Sequence, residues 1–135
     1  MQPVRAIDHI GIAVRSIESV RPLYEQTLGA VFEGTEVVAD QKVKVAFFTV
    51  GGVRIELLEP TGPDSPVAAY LEKRGEGVHH IAYAVSGLEE RIKELFEAGV
   101  RMIDEVPRKG THGTRIAFLH PTSTHGVLTE LCEGE

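Results

Sequence analysis

Two histidines and two glutamates sit at matching places in a duplicated stretch of this 135-residue chain, and that recurrence points to metal chemistry. Asp8-His9-Ile10-Gly11-Ile12-Ala13-Val14 is echoed by His79-His80-Ile81-Ala82-Tyr83-Ala84-Val85, and Gly52-Val53-Arg54-Ile55-Glu56-Leu57 by Gly126-Val127-Leu128-Thr129-Glu130-Leu131. Lys44-Val45-Ala46-Phe47-Phe48 likewise answers Arg115-Ile116-Ala117-Phe118-Leu119. His80 follows His9 by 71 residues and Glu130 follows Glu56 by 74, so only short loop changes separate the copies. Pairing two copies about a pseudo-twofold axis would bring equivalent strand positions together. His9, Glu56, His80 and Glu130 are therefore the candidate ligands. Two neutral imidazoles and two carboxylates balance a divalent ion, and the mixed nitrogen and oxygen set suits Co²⁺, Mn²⁺, Ni²⁺, Zn²⁺ or Fe²⁺ better than thiolate-seeking ions.

Each residue alone is weak evidence, since a strand histidine is usually just hydrogen-bonded and a strand glutamate usually solvated. Here Glu56 and Glu130 are flanked by apolar residues that should be buried, which is an unusual place for an acid. His79 is one residue out of step and should face away from His80. His112, His120 and His125 fall in or beside loops, where exposure and substrate contact are both open. Lys42, Lys44, Arg54, Arg108, Lys109 and Arg115 are near the same strands and could meet phosphates or a carboxylate, or could simply guard solvated strand edges.

The elements that must position these residues follow from periodicity. Strands are expected over 7–14 and 78–85, with His9, Gly11 and Ala13, or His80, Ala82 and Ala84, on one face. Small neighbours leave room beside each histidine. A helix from about Val20 to Leu28, with Ser16 near its cap and Gly29 as its stop, follows the first strand, and Pro22 belongs among its unbonded amides. In the second copy Ser86 and Glu89 have capping-box spacing, Leu88, Ile92, Leu95 and Phe96 form the apolar stripe, and Gly99 is the left-handed stop. Three strands then follow in each copy: 30–38, 42–50 and 53–59, the last two joined at Gly51-Gly52, and 101–105, 114–120 and 126–132. Between the copies, Asp64 or Ser65 caps a short helix with Pro66 in its first turn, ending at Gly75. The expected class is α+β: one domain over 1–135, made of βαβββ modules at 5–60 and 76–135 with a helical linker at 61–75, forming a curved mixed sheet around a metal site.

Composition narrows the partners. The net charge of −6 argues against a nucleic-acid surface. No apolar run is long enough to span a membrane and the first residues lack a secretory pattern, so a cytoplasmic protein is expected. The single cysteine, Cys132, fits a reducing compartment.

The stretches Ile7 to Val14, Gly75 to Ala82, and Phe118-Leu119-His120-Pro121 running on to Leu131 resemble the vicinal oxygen chelate superfamily, and within it the methylmalonyl-CoA epimerases. Asp64-Ser65-Pro66-Val67-Ala68 and the span from Phe118 to Glu130 are the parts more particular to the epimerases. The resemblance covers nearly the whole chain and implies the same four metal ligands. It implies an isomerase that interconverts (2R)- and (2S)-methylmalonyl-CoA by α-proton abstraction through a metal-stabilised enolate, with Glu130 doubling as ligand and base. The implied cofactor is a divalent ion, Co²⁺ first and Mn²⁺, Ni²⁺ or Zn²⁺ as alternates. The implied partners are an acyl-CoA substrate and a second copy of the chain in a homodimer. Val45 stands where some members carry a glutamate base, leaving Gln41, Lys42, Lys44 or a metal-bound water as other proton carriers. Glyoxalase I shares the ligand pattern and is the rival activity. Extradiol dioxygenases use one carboxylate fewer, and a non-catalytic binding protein of the same fold needs no metal.

Overall fold

The computed structural model describes residues 2–134, which divide into two compact units. The first unit runs from His9 to His79. The second combines the residues up to Asp8 with the chain from His80 onward.

In the first unit, β1 (Ala6–Ala13) contributes its residues from His9 and pairs in parallel with β4 (Val53–Pro60), which pairs antiparallel with β3 (Val43–Val50). β3 in turn pairs antiparallel with β2 (Val31–Val38), giving the order β2-β3-β4-β1. Gly51, at φ 60°, makes the tight turn between β3 and β4, as the Gly51-Gly52 pair predicts. Alternation splits the side chains between two cores. Ala46, Phe48 and Leu57 join Val14, Ile17 and Ala30 on the face toward α1 (Ile17–Pro22). Ala13, Val43, Val45, Phe47 and Leu58 occupy the other face, where Val67 and Leu71 of α2 (Pro66–Arg74) pack against them. Ser65 caps α2 by accepting the Val67 amide, and Pro66 takes the first helical position, as expected.

Pro22 acts differently from its expected place in an N-terminal turn. Ser16 caps a helix that starts at Ile17, and after Pro22 the chain continues as one wide turn over Leu23–Thr27, closed by the Leu28 amide on the Leu23 carbonyl at 2.9 Å. Pro22 has no amide to donate, so the regular helical ladder gives way there to the wider spacing.

In the second unit the order is β5-β8-β7-β6. β5 (Gly77–Ala84), from His80 on, pairs in parallel with β8 (Thr129–Glu133), β8 antiparallel with β7 (Arg115–Leu119), and β7 with the two-residue β6 (Arg108–Lys109). The strand expected over 101–105 is only a single bridge between Met102 and Leu119, and the paired edge falls later, at Arg108 and Lys109. The strand expected from Gly126 begins at Thr129, because Gly126 sits at φ 91° in a turn. α3 (Leu88–Glu97) covers one face through Leu88 and Ile92, packed with Val85, Ala117, Leu119 and Leu131. The expected capping box is absent: the N-cap is Gly87 at φ 65°, with no side-chain cap of its own. The Gly87 and Leu88 amides donate instead to Glu133 Oε2, at 2.7 and 3.4 Å. Gly99, at φ 86°, ends the helix as predicted.

Candidate metal centre

His9 and Glu56 meet because their strands are parallel neighbours in register. Gly11, two residues beyond His9 and on its face, lies directly opposite Glu56, and its missing side chain leaves the carboxylate room. On the other flank Phe47 pairs with Glu56 across the antiparallel ladder. The second unit repeats this plan residue for residue. Ala82 lies opposite Glu130 on the parallel side and Phe118 on the antiparallel side. The His80 ring also meets the Phe118 ring edge to face, with centroids 5.4 Å apart.

Burial separates these four from ordinary strand residues. His9 and Glu56 are each 3% exposed, His80 is 5% and Glu130 is 4%. A carboxylate removed from water needs a charged or hydrogen-bonding partner. Glu56 Oε2 stands 3.3 Å from His9 Nδ1, and Glu130 Oε1 stands 3.2 Å from His80 Nε2. Two donors each about 2.1 Å from one ion at near right angles lie about 3 Å apart. Each pair thus fits ligation of a common divalent ion, by donor chemistry and by spacing.

Charge breaks the symmetry between the pairs. Arg54, two residues before Glu56 and on the same face of β4, directs Nη2 and Nε at Glu56 Oε2, at 3.1 and 3.3 Å. The repeat places Leu128 at the corresponding position, and Leu128 packs against Ile116, Phe118 and Cys132. The sequence placed Arg54 among six cations that could meet an anionic ligand or guard a solvated strand edge, and did not pair it with Glu56.

It also missed a pair of helix anchors. Glu59 Oε1 accepts the Ile17 amide at 2.8 Å, as Glu133 does for α3. The echo of Glu56-Leu57-Leu58-Glu59 in Glu130-Leu131-Cys132-Glu133 carried that signal.

The other candidates go elsewhere. His79 stacks edge to face on Tyr70, with centroids 5.0 Å apart. His120 Nδ1 accepts the Thr122 amide at 3.1 Å and is an N-cap of the short turn Pro121–Ser123. His112 and His125 hold left-handed backbones, at φ 53° and 57°. Lys42 is ion-paired with Asp64, whose carboxyl is held below its usual range by that hydrogen bond. Arg108 pairs with Asp104 at 2.8 Å, and Arg115 with Glu89 at 2.9 Å and Glu133 at 3.3 Å. Val45 is 1% exposed among Val43, Phe47, Leu58 and Leu71. The segment 110–114 is a tight turn with the Gly110 amide on the Thr114 carbonyl at 2.9 Å and the Thr114 amide on that of Thr111 at 3.0 Å.

Residues 8–118 match the Glyoxalase/Bleomycin resistance protein/Dioxygenase superfamily. The chain belongs to that superfamily. Superfamily relatives of known name agree closely with it. The chain is 39% identical over 127 residues to the ethylmalonyl-CoA/methylmalonyl-CoA epimerase of Cereibacter sphaeroides, covering 93% of this chain and 95% of that one. It is 51% identical over 127 residues to the uncharacterised protein YqjC of Bacillus subtilis, covering 94% and 91%. A methylmalonyl-CoA epimerase solved in complex with methylmalonyl-CoA and NH4+ superposes with a TM-score of 0.93 at 40% identity, over 98% of this chain and 96% of that one. The α+β class and the duplicated module expected from the sequence are those of the superfamily. No helix among the described residues is long and apolar enough to cross a membrane.

Proposed function

We propose that this chain is a methylmalonyl-CoA epimerase in which His9, Glu56, His80 and Glu130 together hold one divalent ion, Co²⁺ in the first instance. The observation that carries the reading is the pair of buried His/Glu couples at repeat-equivalent positions, in a chain whose relatives include named epimerases. When bound, the ion would act as a Lewis acid toward the thioester and carboxylate oxygens of the substrate, easing the negative charge that builds up as the α-proton leaves.

The chain's own groups supply the rest. A Glu130 oxygen takes the proton from the carbon between thioester and carboxylate, and the C–H electron pair moves toward the thioester carbonyl. A second carrier on the opposite face, drawn from Gln41, Lys42, Lys44 or a water, gives its proton to that carbon while Glu130 releases the one it took to solvent, so the other epimer forms with no net change in atoms. Phe47 and Phe118, beside the two carboxylates, keep water from competing for the exposed carbanionic centre. The acyl-CoA substrate, a homodimeric assembly, a cytoplasmic location and the use of residues 1–135 as one functional domain belong to the same proposal.

The deciding experiment follows α-proton exchange of methylmalonyl-CoA in deuterated water with metal-loaded and metal-stripped protein, beside a glyoxalase assay on a glutathione hemithioacetal. Metal-dependent exchange is expected. Its absence with turnover of the hemithioacetal would transfer the assignment to glyoxalase I.

A further inference from the structure

The two buried carboxylates have matching ladder positions around them and differ most on their own strands. Glu56 has Gly11 and Phe47 across its ladders and Arg54 on its own strand. Glu130 has Ala82, Phe118 and Leu128. Period-two alternation puts position 54 on the face of position 56, and the Arg54 stem is short enough there for two guanidinium N–H groups to reach one carboxylate oxygen. The Arg54 guanidinium also lies over the Phe47 ring, 5.8 Å from its centroid, so two contacts orient the same group. A guanidinium is planar, stays charged at all ordinary pH values and directs its donors in a fixed fork. Gripping Oε2 with two of them fixes the rotation of the Glu56 carboxylate about its last bond.

Resting on the metal-centre reading above, we propose that Arg54 is a positioning residue for Glu56: it sets the carboxylate plane from which Glu56 ligates, and the repeat-equivalent position in the second half holds Leu128. The consequence is that the two glutamates are unequal ligands. Glu56 is gripped by a permanent cation from its own strand, whereas the matching position before Glu130 holds the apolar Leu128.

Partners that orient a ligating carboxylate typically change metal affinity by 10- to 100-fold when removed. The test compares wild type, R54M and R54K by titration with Co²⁺ alone, read by calorimetry and by the visible absorption of the bound ion, which reports coordination geometry. R54M is expected to bind Co²⁺ about 10- to 100-fold more weakly with a shifted band. R54K keeps the charge but loses the fork, and is expected to fall between the two with the R54M band position. Circular dichroism melts verify folding, and R54K carries the comparison if R54M does not fold. Unchanged affinity and spectrum in R54K and R54M overturns the role. Tighter binding in R54M also overturns it, since Arg54 would then be only a competing cation. If Co²⁺ binds and the variants shift as expected while wild type fails to exchange the α-proton of methylmalonyl-CoA, the epimerase reading fails and the positioning role stands. If wild type binds no Co²⁺, both fail.

Discussion

Glu59 accepts the backbone amide of Ile17 at 2.8 Å, tying the end of β4 to the start of α1, and Glu133 ties β8 to α3 in the same way. Both acids stand three residues past a candidate ligand, so one strand in each unit holds the site with Glu56 or Glu130 and anchors a helix with the next acid of its sequence. A charged acceptor on helix N-terminal amides is stabilising through the hydrogen bond and the helix dipole. Glu59→Ala should therefore lower unfolding free energy by about 1–2 kcal/mol, read from urea denaturation of the metal-free protein. A change below experimental error would show that water replaces the carboxylate at no cost.

On the proposed metal-centre reading, a bound divalent ion should also stabilise the fold. A ligand at 100 times its dissociation constant adds about 2.7 kcal/mol to the native state. Thermal melts of wild type with Co²⁺ should lie several degrees above those with a chelator. His9→Ala and Glu130→Ala should lose most of that difference along with the exchange activity. Equal melts for loaded and stripped wild type would exclude binding to the folded state at these residues.

Val45 is a severe site for an introduced acid. The side chain is enclosed by Val43, Phe47, Leu58, Val67 and Leu71, so Val45→Glu would place a carboxyl where hydrocarbon now packs. Burial shifts of 3–5 pKa units correspond to roughly 4–7 kcal/mol if the group must ionise. The variant should unfold at markedly lower urea than wild type at pH 7 and recover part of the loss as the pH falls and the acid is protonated. Near-wild-type stability at pH 7 would show that a cation or water reaches this position, which is what a proton carrier there would require.

Tyr24 packs on Phe48 with ring centroids 5.4 Å apart, and burial raises its phenol above the ordinary value. A folded-state pKa above the unfolded one favours the neutral phenol in the native protein. The stabilisation is complete below about pH 10 and is lost as pH rises through the folded value. Tyr24→Phe should flatten the alkaline limb of a stability profile and leave the region below pH 9 parallel to wild type. Identical alkaline limbs would assign that loss to other groups.

Much of this was readable from residue order because it depends on short-range chemistry and on a repeat. Gly51, Gly29, Gly99 and the Ser65-Pro66 start of α2 each require a particular backbone or cap, and each is where the pattern puts it. Strand parity set His79 against Tyr70 and His80 beside Glu130. What escaped depends on contacts between distant residues. Ser86 and Glu89 have capping-box spacing, but Glu133, more than forty residues on, takes the α3 amides first. The edge strand over 101–105 has suitable composition, yet its pairing with β7 is irregular: Met102 forms a lone bridge to Leu119, and the Ile103 and Asp104 amides both turn to the Phe118 carbonyl. Arg54 looked like one of six interchangeable cations until the register of β4 aimed it at Glu56.

The duplicated strands are finished differently in the two units. In the first, the face bearing Glu56 is closed at one end by α2, whose Val67 and Leu71 are shared with an eight-residue core. In the second, the face bearing Glu130 has a three-residue core of Ile116, Phe118 and Cys132, with Gly110 so close that an added Cβ would come within 2.7 Å of Ile116 Cγ2. A helix buried in a core can change only together with that core, and Gly110 can take no side chain unless Ile116 and Thr114 move. The two halves therefore tolerate change differently: around α2 it must be concerted across many side chains, and around Ile116 it must spare the one position that carries none.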